Sequence, residues 1–88
     1  MTSRQAQKHI ISNIAALASV YGNSNLTKLA DMAGETYMDD VELAKTDGEV
    51  KNDMFNTIMA THMVTFPGEA ELNAFKAKLF AIFDETKV

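Results

Sequence analysis

The sequence predicts an all-α fold, a small and mostly antiparallel bundle of three to four helices, and three observations carry that expectation. Apolar residues recur at spacings of three and four through most of the chain, the period of a helix with one buried face. One Pro and four Gly in 88 residues leave too little turn chemistry for a β-sandwich and favour long helices. The composition, 47% hydrophobic and 23% charged, is that of a globular chain rather than a disordered one. A single domain, residues 1–88, follows from the length. A domain of this size buries only roughly 60% of its unfolded surface, so self-association would help it.

The first helix is expected from about Thr2 to Tyr21. Ile10, Ile14, Leu17 and Tyr21 form its seam, and Ile11, Ala15 and Ala18 widen it. Ser12, Ala16 and Ser19 make another side small, so this near-uncharged helix can touch two neighbours and is the expected place for a homo-oligomer contact. Gly22 suits a C-terminal cap, and Ser24 or Asn25 suits the start of the next helix. Residues 9–27 contain no Asp, Glu, Lys or Arg and follow Arg4 and Lys8, the outline of a secretory leader. The apolar run is broken by Ser12, Asn13 and Ser19 and falls short of the roughly twenty residues a bilayer requires, so a buried helix is favoured over a leader or membrane span.

The stretch LADMAGETYMDDV, Leu29 to Val41, has the outline of a DNA-reading helix-turn-helix with Gly34 at the turn. The apolar rhythm does not break there. Leu26, Ala30, Ala33, Tyr37, Val41 and Ala44 continue at helical spacing across the glycine, which predicts one helix of about twenty residues. Glu35 and Asp40 stand where a helix-turn-helix would want apolar residues. Asp39, Asp40 and Glu42 would meet phosphates and base edges with like charge.

TDGE, Thr46 to Glu49, matches a capping box and opens the third helix. Its expected apolar face is Val50, Met54, Phe55, Ile58, Met59, Met63 and Phe66. Pro67 ends that helix or opens the fourth, expected from about Pro67 to Glu85 with Leu72, Phe75, Leu79, Ile82 and Phe83 as its seam.

Two surface features stand out. Asp31, Glu35, Asp39 and Glu42 recur at spacings of four, four and three, with Asp40 alongside, and stack as an acidic ridge on the second helix. Phe80 shares its side of the fourth helix with Asn73, Lys76, Ala77 and Asp84, an aromatic on a polar face and a candidate anchor for a partner. Read as structure alone, the ridge is a solvated face, the methionines Met54, Met59 and Met63 fill the core, and Phe80 belongs to a wide core face.

Catalytic apparatus is missing across the common classes: no cysteine, no Gly-x-Ser-x-Gly elbow and no phosphate-cradling Gly-rich loop. His9 and His62 sit in no metal-binding spacing, and the carboxylates of the second helix lack the glycine-containing loop of a calcium site, so no metal or cofactor is expected. The net charge of −4 disfavours nucleic acid and anionic lipid. The absence of cysteine fits a reducing, cytoplasmic setting.

The expected function is therefore that of a non-enzymatic protein-binding module, an inhibitor or adaptor whose partner is a larger protein with a basic surface. Asp31, Glu35, Asp39, Asp40, Glu42 and Phe80 would make the contact. Length and acidity suit a protein encoded by a virus or mobile element. Two alternatives stay open: a helix-turn-helix-like nucleic-acid-binding regulator using Thr36 to Lys45, and an oligomer holding a small ligand between subunits near Lys8, His9 and Tyr21.

Overall fold

Helix ends in this chain are set by side chains that satisfy free backbone groups. Thr2 Oγ1 accepts from Gln5 N at 3.2 Å while Gln5 Oε1 accepts from Thr2 N at 2.9 Å. The same reciprocal box joins Thr46 and Glu49. Gly22, at φ 62°, ends the first helix in the left-handed conformation, and the N–H groups of Gly22 and Asn23 both reach Ala18 O. The second helix starts at Asn25 with Ser24 in the cap position, as expected, but neither side chain caps it. Asn23 Oδ1 accepts from Asn25 N at 3.0 Å, which frees the Asn25 amide to donate to Met63 O.

The computed structural model describes residues 1–87 and contains four helices and, among those residues, no strand. They are α1 (Ser3–Tyr21), α2 (Asn25–Glu42), α3 (Asp47–Ala60) and α4 (Glu69–Glu85). The helices form a bundle in which each packs on its chain neighbour and α4 closes on α1. The diagonal pairs, α1 with α3 and α2 with α4, bring no Cα atoms within 8 Å of each other. A radius of gyration of 12.1 Å equals the roughly 12 Å of a compact chain of this length. No helix among the described residues is long and apolar enough to cross a membrane.

Side-chain size sets the spacing within the bundle. Ala6, Ala30, Ala33 and Gly34 are all buried, and they let α1 and α2 approach most closely. The helix runs through Gly34 without interruption. A Cβ built there would stand 2.5 Å from Ile11 Cγ1 and 2.6 Å from Ile11 Cδ1, so the glycine is required by the neighbouring helix and not by a turn. Gln7 Nε2 donates to the Gly34 carbonyl at the same crossing. On the other side α4 buries Phe75, Leu79, Ile82 and Phe83, and these large side chains hold it further off. Phe75 is the hub of an aromatic cluster, with ring centroids 5.0 Å from Phe66, 5.6 Å from Tyr21 and 6.4 Å from Phe55.

Three expectations need correction. The buried stripe of α2 runs Leu26, Leu29, Ala30, Ala33, Tyr37 and then Asp40, while Val41 and Ala44 are exposed. Helix α3 stops at Ala60 because Thr61 Oγ1 donates back to Ile58 O and His62 adopts a left-handed φ of 56°. Met63 and Phe66 therefore lie in the connection, Met63 exposed and Phe66 packed on the core. Helix α4 begins at Glu69, with Pro67 and Gly68 ahead of it.

Candidate functional site

The acidic ridge follows from the helical period of α2. Burial of the Leu26–Tyr37 stripe turns the opposite face outward, and Asp31, Glu35, Asp39 and Glu42 are all exposed on it. None of the four takes part in an ion pair among the described residues. The ion pairs instead join other elements: His9–Glu85 between α1 and α4, Lys51–Asp84 between α3 and α4, Lys87 just after α4 with Asp47 of α3, and Lys45 with Asp40 and Asp53. The negative charge of the ridge is thus left to solvent. Met32 and Leu43 are exposed apolar neighbours on and just after the same helix.

Asp40 does not share that face. It is 5% exposed and turned inward, the polar continuation of the core stripe. Tyr37 is followed by candidates at the next turn on both sides, Asp40 and Val41. The inward place went to Asp40, which there meets Lys45 of the α2–α3 connection and Asp53 of α3. Lys45 Nζ stands 3.5 Å from Asp40 Oδ1 and 3.0 Å from Asp53 Oδ2. Asp40 Oδ2 is buried and receives no hydrogen bond from a donor. Two carboxylates can bond each other only when one carries a proton, and the surroundings favour that state. Burial pushes the Asp40 carboxyl above the ordinary aspartate range and neighbouring Asp53 adds to the effect, while Lys45 opposes it. Asp53 is held down by its hydrogen bonds with Asp40 and Lys45.

The consequence for stability has a definite sign. A raised folded-state pKa at Asp40 contributes stability present below the unfolded value and lost as pH rises through the folded one. The lowered Asp53 contributes stability present above its unfolded value and lost as pH falls through the folded one. The cluster is therefore most favourable near the ordinary aspartate pKa, about 4. Asp40→Asn supplies a permanent amide donor for Asp53. The variant is expected to match the wild type near that pH and to exceed it at neutrality, read from urea midpoints between about pH 4 and 8. A variant less stable than wild type at neutral pH would contradict a protonated Asp40 carboxyl shared with half-exposed Asp53.

Phe80 also differs from its expected setting. It is half-buried, with Lys51 Nζ 5.0 Å and Lys76 Nζ 5.5 Å from its ring centroid. Two lysine stems of α3 and α4 cover an aromatic that sequence alone leaves bare. Helices α2 and α4 meet only through core side chains such as Tyr37 and Phe83, and Phe80 lies instead beside Lys51 of α3 and Lys76 of α4, so Phe80 and the ridge are not drawn into one patch. His9 and Tyr21 are engaged internally. His9 Nδ1 accepts from the Asn13 amide and Nε2 meets Glu85 Oε2 at 2.8 Å, while Tyr21 stands edge-on to Phe66 and Phe75.

Comparison with known proteins adds no relative. No protein-family model, curated protein or solved structure matches this chain. Function has to be argued from its surfaces. No group of three or more His, Cys, Asp or Glu among the described residues is arranged to hold a metal ion. Sequence reading overlooked Lys45 and Asp53, whose partnership depends on the α2–α3 turn. It also overlooked the connection of residues 61–68, where two grooves of about 420 and 260 Å3 flank Val64, Thr65 and Phe66.

Proposed function

We propose that this protein is a non-enzymatic binding module, an inhibitor or adaptor that docks the exposed acidic face of α2 on a basic surface of a larger protein. The observation that carries the proposal is the bare ridge of Asp31, Glu35, Asp39 and Glu42, without an ion pair among the described residues although lysines elsewhere pair with other carboxylates. Like charges three and four residues apart each cost the helix a few tenths of a kcal/mol, so the ridge opposes the stability of α2 and calls for a reason outside it. A basic partner supplies that reason. Complementary charge speeds encounter and weakens with salt, and exposed Met32 and Leu43 offer apolar contact that slows release.

The framework belongs to the same proposal. A mostly antiparallel bundle is supported by contacts that run in opposite senses along neighbours: Thr36 with Thr57 and Asp40 with Asp53 on α2 and α3, then Asp47 with Lys87 and Lys51 with Asp84 on α3 and α4. Self-association through α1 is supported by its exposed small residues Ser12, Ala16 and Ser19 and by Val20, 63% exposed. The lack of cysteine supports a cytoplasmic setting.

The test is charge reversal. Glu35→Lys with Asp39→Lys is expected to abolish low-salt capture of a basic protein from cell extract while leaving the helical fold intact or slightly more stable, because the 31/35 and 39/42 pairs become attractive and only 35/39 stays like-charged. Capture unchanged by the double variant sinks the proposal. A low-salt gel shift that survives competitor DNA would instead favour the nucleic-acid alternative.

A further inference from the structure

We propose that the groove between the end of α3 and the start of α4 binds a small organic ammonium ion carrying an aryl or alkyl group. The groove is partly open to solvent and offers about 420 Å3, within the range of small-molecule sites. Met59, Val64, Phe66 and Leu72 supply its apolar lining, with His62 and Glu69 among the polar positions. It lies away from α2, so it is independent of the acidic ridge.

Charge selects the ligand. Neither Lys nor Arg lines this groove, and the Glu69 carboxylate has no ion pair or hydrogen bond among the described residues. The adjoining groove, on the other side of Val64–Phe66, repeats the chemistry with Glu71 and the rings of Tyr21 and Phe66, again without a cation. The start of α4 would by itself favour an anion, but Glu69 and Glu71 already stand in its first turn. A cation therefore meets a carboxylate and an aromatic ring, whereas an anion meets like charge.

The wall is fixed before a ligand arrives. Thr61 Oγ1 donates to Ile58 O at 2.8 Å and accepts from Met63 N at 3.2 Å, and Met63 O accepts from the Asn25 amide at 2.9 Å. Phe66 is held by Phe75 and Tyr21. His62, a non-glycine residue at φ 56°, is kept in a sparsely populated conformation at the groove, the kind of local strain that surrounding structure must sustain. Such preorganisation reduces what binding must order.

The test titrates the full chain with phenethylammonium, observed through backbone amide NMR shifts, beside 2-phenylethanol and 3-phenylpropionate as neutral and anionic counterparts. Saturable shifts at Val64, Phe66 and Glu69 are expected below about 10 mM, with affinity at least about tenfold above either counterpart. Glu69→Gln should weaken binding by about three- to tenfold. Thr65→Lys, at an exposed lining position, should abolish it by placing an ammonium of the protein's own there. Equal binding of the alcohol or the carboxylate, shifts that map elsewhere, or no saturation in that range would each overturn the assignment. Ridge reversal leaves this titration unchanged, so the two proposals fail separately.

Discussion

Phe75→Ala is expected to lower stability by about 4 kcal/mol, the largest single loss in this chain. The ring is fully buried and touches Tyr21 of α1, Phe55 of α3 and Phe66 of the α3–α4 connection. Truncation removes a large transfer term and leaves a cavity that three separate elements would have to collapse into. It also deletes the edge and tilted ring contacts, worth more than their area alone. A domain of this size has about 4–13 kcal/mol in total, so the variant should melt roughly 20 °C lower or more. Urea denaturation followed by circular dichroism measures it, with the denaturant slope unchanged if the native state keeps its extent. Phe80→Ala is the control. Its ring is half-buried under Lys51 and Lys76, and its loss should cost about 1 kcal/mol or less. Equal losses at the two positions would mean that the aromatic core is wrongly placed.

The second large effect is at Gly34. Gly34→Val puts a branched side chain where even a Cβ meets Ile11 at 2.5 Å, and about 3 kcal/mol of destabilisation is expected from overpacking between α1 and α2. Alanine at the same position sets two terms against each other. It gains about 1 kcal/mol of helix propensity, and it loses about 1–3 kcal/mol to the clash. The clash depends on Ile11, which gives a sign test. Gly34→Ala should destabilise the wild type and stabilise an Ile11→Ala background, where only the propensity term remains. Thermal melts of the four proteins in that cycle decide the matter. A stabilising Gly34→Ala in the wild-type background would show that the Ile11 side chain yields and that the clash does not hold glycine here.

Much of the helical framework was legible because its determinants are local. The Thr46–Glu49 box, Gly22 and the unbroken rhythm across Gly34 each act within a few residues, and each is found as expected. The Thr2–Gln5 box was equally readable in principle, a Thr-x-x-Gln spacing ahead of an apolar run. Outward projection of Asp31, Glu35, Asp39 and Glu42 follows from the same period. The misread positions lie where period alone is ambiguous. Asp40 and Val41 are both one turn beyond Tyr37, and only the arrival of Lys45 and Asp53 makes the carboxylate the inward one. Phe66 continues the spacing of α3 but packs on the core, half-buried, from a loop, because hydrophobic spacing records burial and does not distinguish a helix from a strap folded onto the same core.

The amino-acid order alone therefore determined that this chain makes helices, where most of them start and stop, and that one of them turns a row of carboxylates to water. Tertiary contact alone decided why Gly34 must be glycine, which way Asp40 points, how Phe80 is covered, and that a groove opens beside Val64–Phe66. The division has one physical cause. Capping and periodicity are settled within a turn or two of helix, whereas clash, desolvation and enclosure exist only once distant segments meet.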